Sequence, residues 1–248
     1  MVDISDGFCS YICFKDWNEK GHAMVDKVKW VLALFLLVLV LYGIRRVESV
    51  LTQGEVKVQK AEVVIDAGHG GKDPGKVGVN DVLEKDLNLQ IAKKLKEELE
   101  ARGISVLMTR EEDKGLYDEE ADNKQVQDLK RRVELINETA PSLAVSIHQN
   151  SYPSPDVSGA QVFYYEHSSE GKKMASVIQQ QMENLEGLNN RPEKGNETYY
   201  LLKRTEVPTV IIECGFLSNQ SEAQKLTQEE YQNSLAKAIA DGIEECIQ

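Results

Sequence analysis

The strongest constraint on this chain is one unit near its middle. A run of branched apolar residues, Glu62-Val-Val-Ile-Asp66, is followed by glycines at 68, 70, 71 and 75, then by an amphipathic stretch and a second apolar run. Leu87, Ile91, Leu95 and Leu99 recur at fourfold spacing with Lys and Glu between them, which predicts a helix from Glu84 that Gly103 ends. The next strand is expected from Ile104 to Thr109. Strand, loop, helix, strand is the crossover that parallel pairing requires. The pattern then repeats: Val126, Leu129, Val133 and Ile136 mark a helix to Asn137, and Leu143-Ala-Val-Ser-Ile-His148 reads as a strand. Further strands are expected at Ala160–Tyr165 and Pro208–Glu213, with helices at Met174–Leu185 and Gln228–Cys246. Between Arg110 and Lys124 lies an acidic stretch that reads as a solvated loop. The predicted fold is α/β: a single domain over residues 61–248, with a mostly parallel central sheet flanked by helices on both faces.

At 248 residues, 41% of them hydrophobic, the chain can hold one sizeable core and an appendage. The appendage is N-terminal. Trp30 to Ile44 is uncharged, preceded by Lys27 and Lys29 and closed by Arg45-Arg46. Such a helix reaches about 22 Å against a hydrocarbon core of about 30 Å, so Lys29 and Arg45 would snorkel if it spans. No small-x-small cleavage motif follows, which predicts an uncleaved membrane anchor over 30–44. Residues 1–29 read as a tail, with Met24 as an alternative start, and residues 45–60 as a linker. Positive charge on both flanks leaves the orientation open. A formal charge of −12 argues against a nucleic-acid partner. Cysteines at 9, 13, 214 and 246 form neither a disulfide framework nor a Cys-ligated metal pattern.

Three predicted strands end in polar groups that a core would reject: Asp66 with His69 just beyond, His148 with Asn150 beyond, and Glu213. In an open parallel sheet those carboxyl ends border one crevice. Two imidazoles and a carboxylate there suit a catalytic zinc, with one position left for water. Glu84 opens the helix that follows the His69 loop and is the natural third ligand. Singly, each residue has a plainer reading: a glycine turn shapes backbone, and a first-turn Glu complements a helix dipole. Asn150 is a candidate substrate contact or a strand-end cap, and Arg132 a candidate substrate contact or a structural ion pair.

Taken together, Val-Val-Ile-Asp66-Ala-Gly-His69-Gly-Gly, Glu84-Lys-Asp-Leu-Asn-Leu, Ser-Ile-His148-Gln-Asn150 and Ile-Ile-Glu213-Cys-Gly-Phe-Leu-Ser-Asn219 resemble the zinc-dependent N-acetylmuramoyl-L-alanine amidases. The resemblance runs from about Ala61 to the C-terminus. It implies one zinc held by His69, Glu84 and His148, with Glu213 as the catalytic carboxylate. The substrate it implies is peptidoglycan, cut between the lactyl group of N-acetylmuramic acid and L-alanine. Cys214 receives no role. Asp128-Leu-Lys-Arg-Arg132-Val-Glu-Leu-Ile-Asn137, Ser158-Gly-Ala-Gln-Val-Phe-Tyr-Tyr165 and Tyr200-Leu-Leu-Lys look most like the germination-specific, spore-cortex members. That narrower likeness implies work at the extracytoplasmic face of a bacterial membrane, within the spore envelope, in muramic δ-lactam formation.

By the same resemblance, Glu213 removes the proton of the attacking water and passes it to the departing amine. The connection from His148 to Gly159 is too short for the inhibitory helix some family members insert there. Control then falls to expression, location or an activating partner protein. Two alternatives stay open at this stage: a zinc peptidase acting within the stem peptide, and a non-catalytic wall-binding protein on the same fold.

Overall fold

The computed structural model describes Phe35, Leu36, residues 61–185 and residues 191–248. By its contacts the chain divides into two units, Met1–Lys57 and Val58–Gln248. Of the first, Phe35 and Leu36 are described, as helix; the remainder of the 1–29 tail, the 30–44 anchor and the 45–60 linker lies outside the described residues. Among the described residues no helix is long and apolar enough to cross a membrane.

The second unit is an α/β domain. Its strands are β1 (Val63–Ala67), β2 (Val106–Met108), β3 (Leu143–Asn150), β4 (Gln161–Tyr165), β5 (Lys194–Asn196) and β6 (Thr209–Phe216). Its helices are α1 (Glu84–Ala101), α2 (Lys124–Thr139), α3 (Ser169–Met182), α4 (Tyr200–Arg204), α5 (Gln220–Leu226) and α6 (Glu229–Ile247), with a short 3-10 turn at Val79–Asp81. The sheet order is β2-β1-β3-β6-β4-β5. The first four strands in that order run parallel, β4 is antiparallel to β6, and β5 is parallel to β4.

Period-two alternation sorts the strand residues between the two faces. Val63, Ile65, Ala67, Leu143, Val145, Ile147, Val210, Ile212 and Cys214 join the main core under α1, α3 and α6. On the other face Val64 and Ala144 pack with Val133 and Ile136 of α2 and Leu201 of α4. Asp66, Ser146, His148 and Glu213 share this second face by the same alternation. The helices begin and end where local chemistry says they should. Asn123 accepts from Val126 N at 3.1 Å to cap α2, Ser168 accepts from Gly171 N at 2.9 Å to cap α3, and Gly103 takes φ 81° just past α1.

Several boundaries differ from the sequence expectation. β2 is only Val106–Met108, because it is an edge strand paired on one side to β1. α3 begins at Ser169 rather than Met174, at the Ser168 cap, and ends at Met182. β6 runs three residues beyond Glu213, to Phe216. β5, α4 and α5 were not anticipated; each is short, and β5 is the three-residue Lys194-Gly-Asn196, held by pairing with β4.

Candidate metal centre

The β1–α1 loop supplies the first imidazole. His69 has φ 61° and Gly70 φ 132°, so the chain turns sharply off the strand end. Two buried arginines hold this turn from below. Arg110 donates from Nε to the Ala67 carbonyl (2.8 Å) and from Nη2 to the carbonyls of Gly68 (3.0 Å) and Lys85 (2.8 Å). Arg132 donates from Nη1 to the Ala67 carbonyl (2.8 Å) and from Nη2 to the His69 carbonyl (2.6 Å).

His69 Nδ1 lies 2.9 Å from Asp73 Oδ2, which turns Nε2 toward Glu84 Oε1 at 3.2 Å. His148, on β3, places Nδ1 2.9 Å from the same Glu84 oxygen. The two rings meet edge to face at 5.0 Å. His69, Glu84 and His148 each offer a ligand atom, and these atoms lie within 4.8 Å of one another. Glu84 Oε1 also accepts from Gln149 N (3.2 Å), and its Oε2 from Lys76 N (2.8 Å), so this buried carboxylate is oriented by backbone. Burial opposes its charge, but both imidazoles hold it below the usual carboxylate range. The same geometry acts on His69: burial alone would lower its pKa, yet Asp73 and Glu84 raise it to about 10.

Glu213 lies directly across from His148 in the parallel β3–β6 register. Burial raises its pKa to about 7, the negative charge of Glu84 adding to the effect and the imidazoles opposing it. Its Oε2 is buried with no partner among the described residues. Beside it opens a cavity of about 190 Å³ lined by His148, Glu213, Tyr199, Leu129, Leu201 and Ile211, among others. Tyr199 interacts with the Glu213 carboxylate, and burial with that charge moves its hydroxyl up to about 12. Sequence reasoning passed over Tyr199, Arg110 and Asp73. Asp73, four residues after His69, is a spacing that could have flagged an imidazole partner.

The remaining sequence candidates fall elsewhere. Arg132 is buried, with Nη1 2.6 Å from Asp66 and Nε 2.6 Å from Asp128, so its charge is spent inside the protein and not on a substrate. Asp66 is its partner rather than a reacting group. Asn150 turns its Oδ1 to Ser151 N at 2.8 Å, as a cap at the strand end. The acidic 110–124 stretch does more than meet solvent: Asp113 accepts from Gly71 N (2.9 Å) and the Tyr117 hydroxyl from Lys72 N (2.8 Å). It straps the His69 loop, because the amides of that loop need acceptors and the side chains of Asp113 and Tyr117 supply them.

His69 just beyond β1, Glu84 at the start of α1, and His148 and Glu213 on neighbouring β3 and β6 are the residues the four sequence motifs carry, and the profile of the N-acetylmuramoyl-L-alanine amidase family matches residues 63–245. This chain belongs to that family. The germination-specific N-acetylmuramoyl-L-alanine amidase of Bacillus subtilis (strain 168) is 41% identical over 185 residues, covering 73% of this chain and 77% of that protein. Among solved structures, the CwlD amidase from Clostridioides difficile, in complex with the GerS lipoprotein, superposes with a TM-score of 0.72 at 40% identity. It covers 75% of this chain and 98% of its own. The amidase AmiC2 of Nostoc punctiforme gives 0.65 at 34% identity, over 75% of this chain and 96% of its own. The protein is thus an amide hydrolase of the bacterial cell wall, with peptidoglycan as its substrate class.

Proposed function

We propose that the chain is a zinc-dependent amidase that removes stem peptides from muramic acid in spore cortex, with His69, Glu84 and His148 as metal ligands and Glu213 as the catalytic carboxylate. The observation that carries the metal assignment is the convergence of three ligand atoms within 4.8 Å. The donor set fits: two nitrogens and one carboxylate leave a position open in a tetrahedral zinc site, and the Asp73 contact fixes one imidazole as metal-site histidines usually require. His69, Glu84 and His148 would hold the ion, whose chemistry there would be Lewis-acid activation of water and of the scissile carbonyl.

The rest is the work of the protein's own groups. Glu213, with an unpaired buried oxygen and a pKa raised by burial to about 7, can take a proton from water and return it to the leaving amine of L-alanine. The 41% identity to a germination-specific amidase supports the cortex assignment. Residues 61–248 then form the catalytic domain, 45–60 its linker and 30–44 a membrane anchor that keeps it on the extracytoplasmic, cell-wall side.

The test is a digest of purified peptidoglycan and cortex, with and without zinc, read by product mass. Peptide-free muramic acid that appears only with metal and Glu213 supports the reading, and release from cortex alone supports the spore role. Cleavage within the stem peptide would replace it with a peptidase. No release under any metal would point to a required protein partner or to a binding role.

A further inference from the structure

Asn88 is fully buried one turn beyond Glu84 in α1, a place where a carboxamide must find partners. Its Nδ2 donates to the Gly68 carbonyl at 3.1 Å and lies 3.4 Å from Glu84 Oε1. Its Oδ1 accepts from Gln149 Nε2 at 3.3 Å. Gly68 precedes His69, Gln149 follows His148, and Glu84 stands on the same helix. One amide therefore touches all three segments that bring ligands to the centre.

From this we infer that Asn88 is a positioning residue for the metal: its buried carboxamide, tied to Gly68, Glu84 and Gln149, sets the mutual position of the segments bearing His69, Glu84 and His148 and so tightens metal binding. The inference rests on the zinc reading above. Three ligands on a loop, a helix and a strand lose independent freedom when they converge, and a cross-tie already in place lowers that cost. The packing leaves little slack, since a Cβ at Gly68 would stand 2.3 Å from the His148 ring. The Gly68 carbonyl keeps Arg110 if Asn88 is truncated, but Gln149 does not fare as well. Its Oε1 already lacks a partner among the described residues, so losing Asn88 also removes the oxygen that accepts from its buried amide beside His148.

The experiment is zinc affinity of the metal-free full chain, measured by competition with a chromogenic chelator, with folding followed by circular dichroism. Asn88→Ala is expected to bind zinc about 10- to 100-fold more weakly, the usual effect of removing a group that orients ligands. Gln232→Ala is the control: this equally buried glutamine bonds Gln90 and the Leu226 carbonyl instead, so its loss should lower stability and leave zinc affinity unchanged. A folded Asn88→Ala chain with parental affinity overturns the inference, as does equal weakening in the control. Should Asn88→Ala fail to fold, Gln149→Ala removes the same tie from the β3 side; severalfold weaker zinc supports the inference and parental affinity overturns it. A parent chain that binds no zinc defeats the zinc reading itself, a result separable from either.

Discussion

Single atoms decide the behaviour of the site. Glu213→Gln keeps size and packing but abolishes the base, so turnover should fall by about 10²- to 10⁴-fold with zinc binding retained; single-turnover assays and metal titration on one preparation check both. Gly68→Ala acts through space: its methyl would collide with the His148 ring, so zinc affinity should drop although no ligand is changed. Asp66 gives a pH signature. Burial would raise its pKa, but the Arg132 charge and hydrogen bonds from Ser146 and Thr109 outweigh burial and hold it at about 2, below the ordinary 3.8. A depressed acid stabilises the fold fully above its unfolded pKa. The contribution, of the order of 2 kcal/mol, is lost as pH falls from about 4 through about 2. Urea midpoints measured from pH 5 downward should show this decline, and Asp66→Asn should remove that component.

The elements explain what the sequence could and could not disclose. The β1, β3 and β6 runs are buried on both faces and apolar for most of their length before polar groups appear toward their carboxyl ends, and α1 carries its stripe at fourfold spacing, so these were legible from the pattern. Residues His69, Glu84, His148 and Glu213 were legible because each interrupts such a pattern at its end. Lys194-Gly-Asn196 has no intrinsic strand preference and is a strand only because β4 lies beside it. Arg110 and Arg132 resemble surface charges in sequence; only the fold shows that carbonyls of the His69 turn surround them. The acidic stretch is the solvated loop its composition predicts, but its contacts were not legible, since its acceptors serve amides more than forty residues away. Tyr117→Phe removes one of these contacts and should cost about 1 kcal/mol, with faster proteolysis of the strap under native conditions.

At the scale of the molecule, ligand binding and stability are one equilibrium. If zinc binds only the folded domain, a free concentration 100-fold above its dissociation constant adds about 2.7 kcal/mol, so melting should shift upward with zinc and return after chelation. Glu84→Ala should abolish that shift. His148 and Glu213 are cross-strand neighbours on two central parallel strands, so the gap between them is a lattice spacing of about 4.8 Å, set by peptide geometry and not by flexible side chains. That spacing works as a ruler embedded in the middle of the sheet. The β1–α1 loop carries His69 and lies outside that ruler, so a change in the loop moves one ligand while the His148–Glu213 spacing stays put.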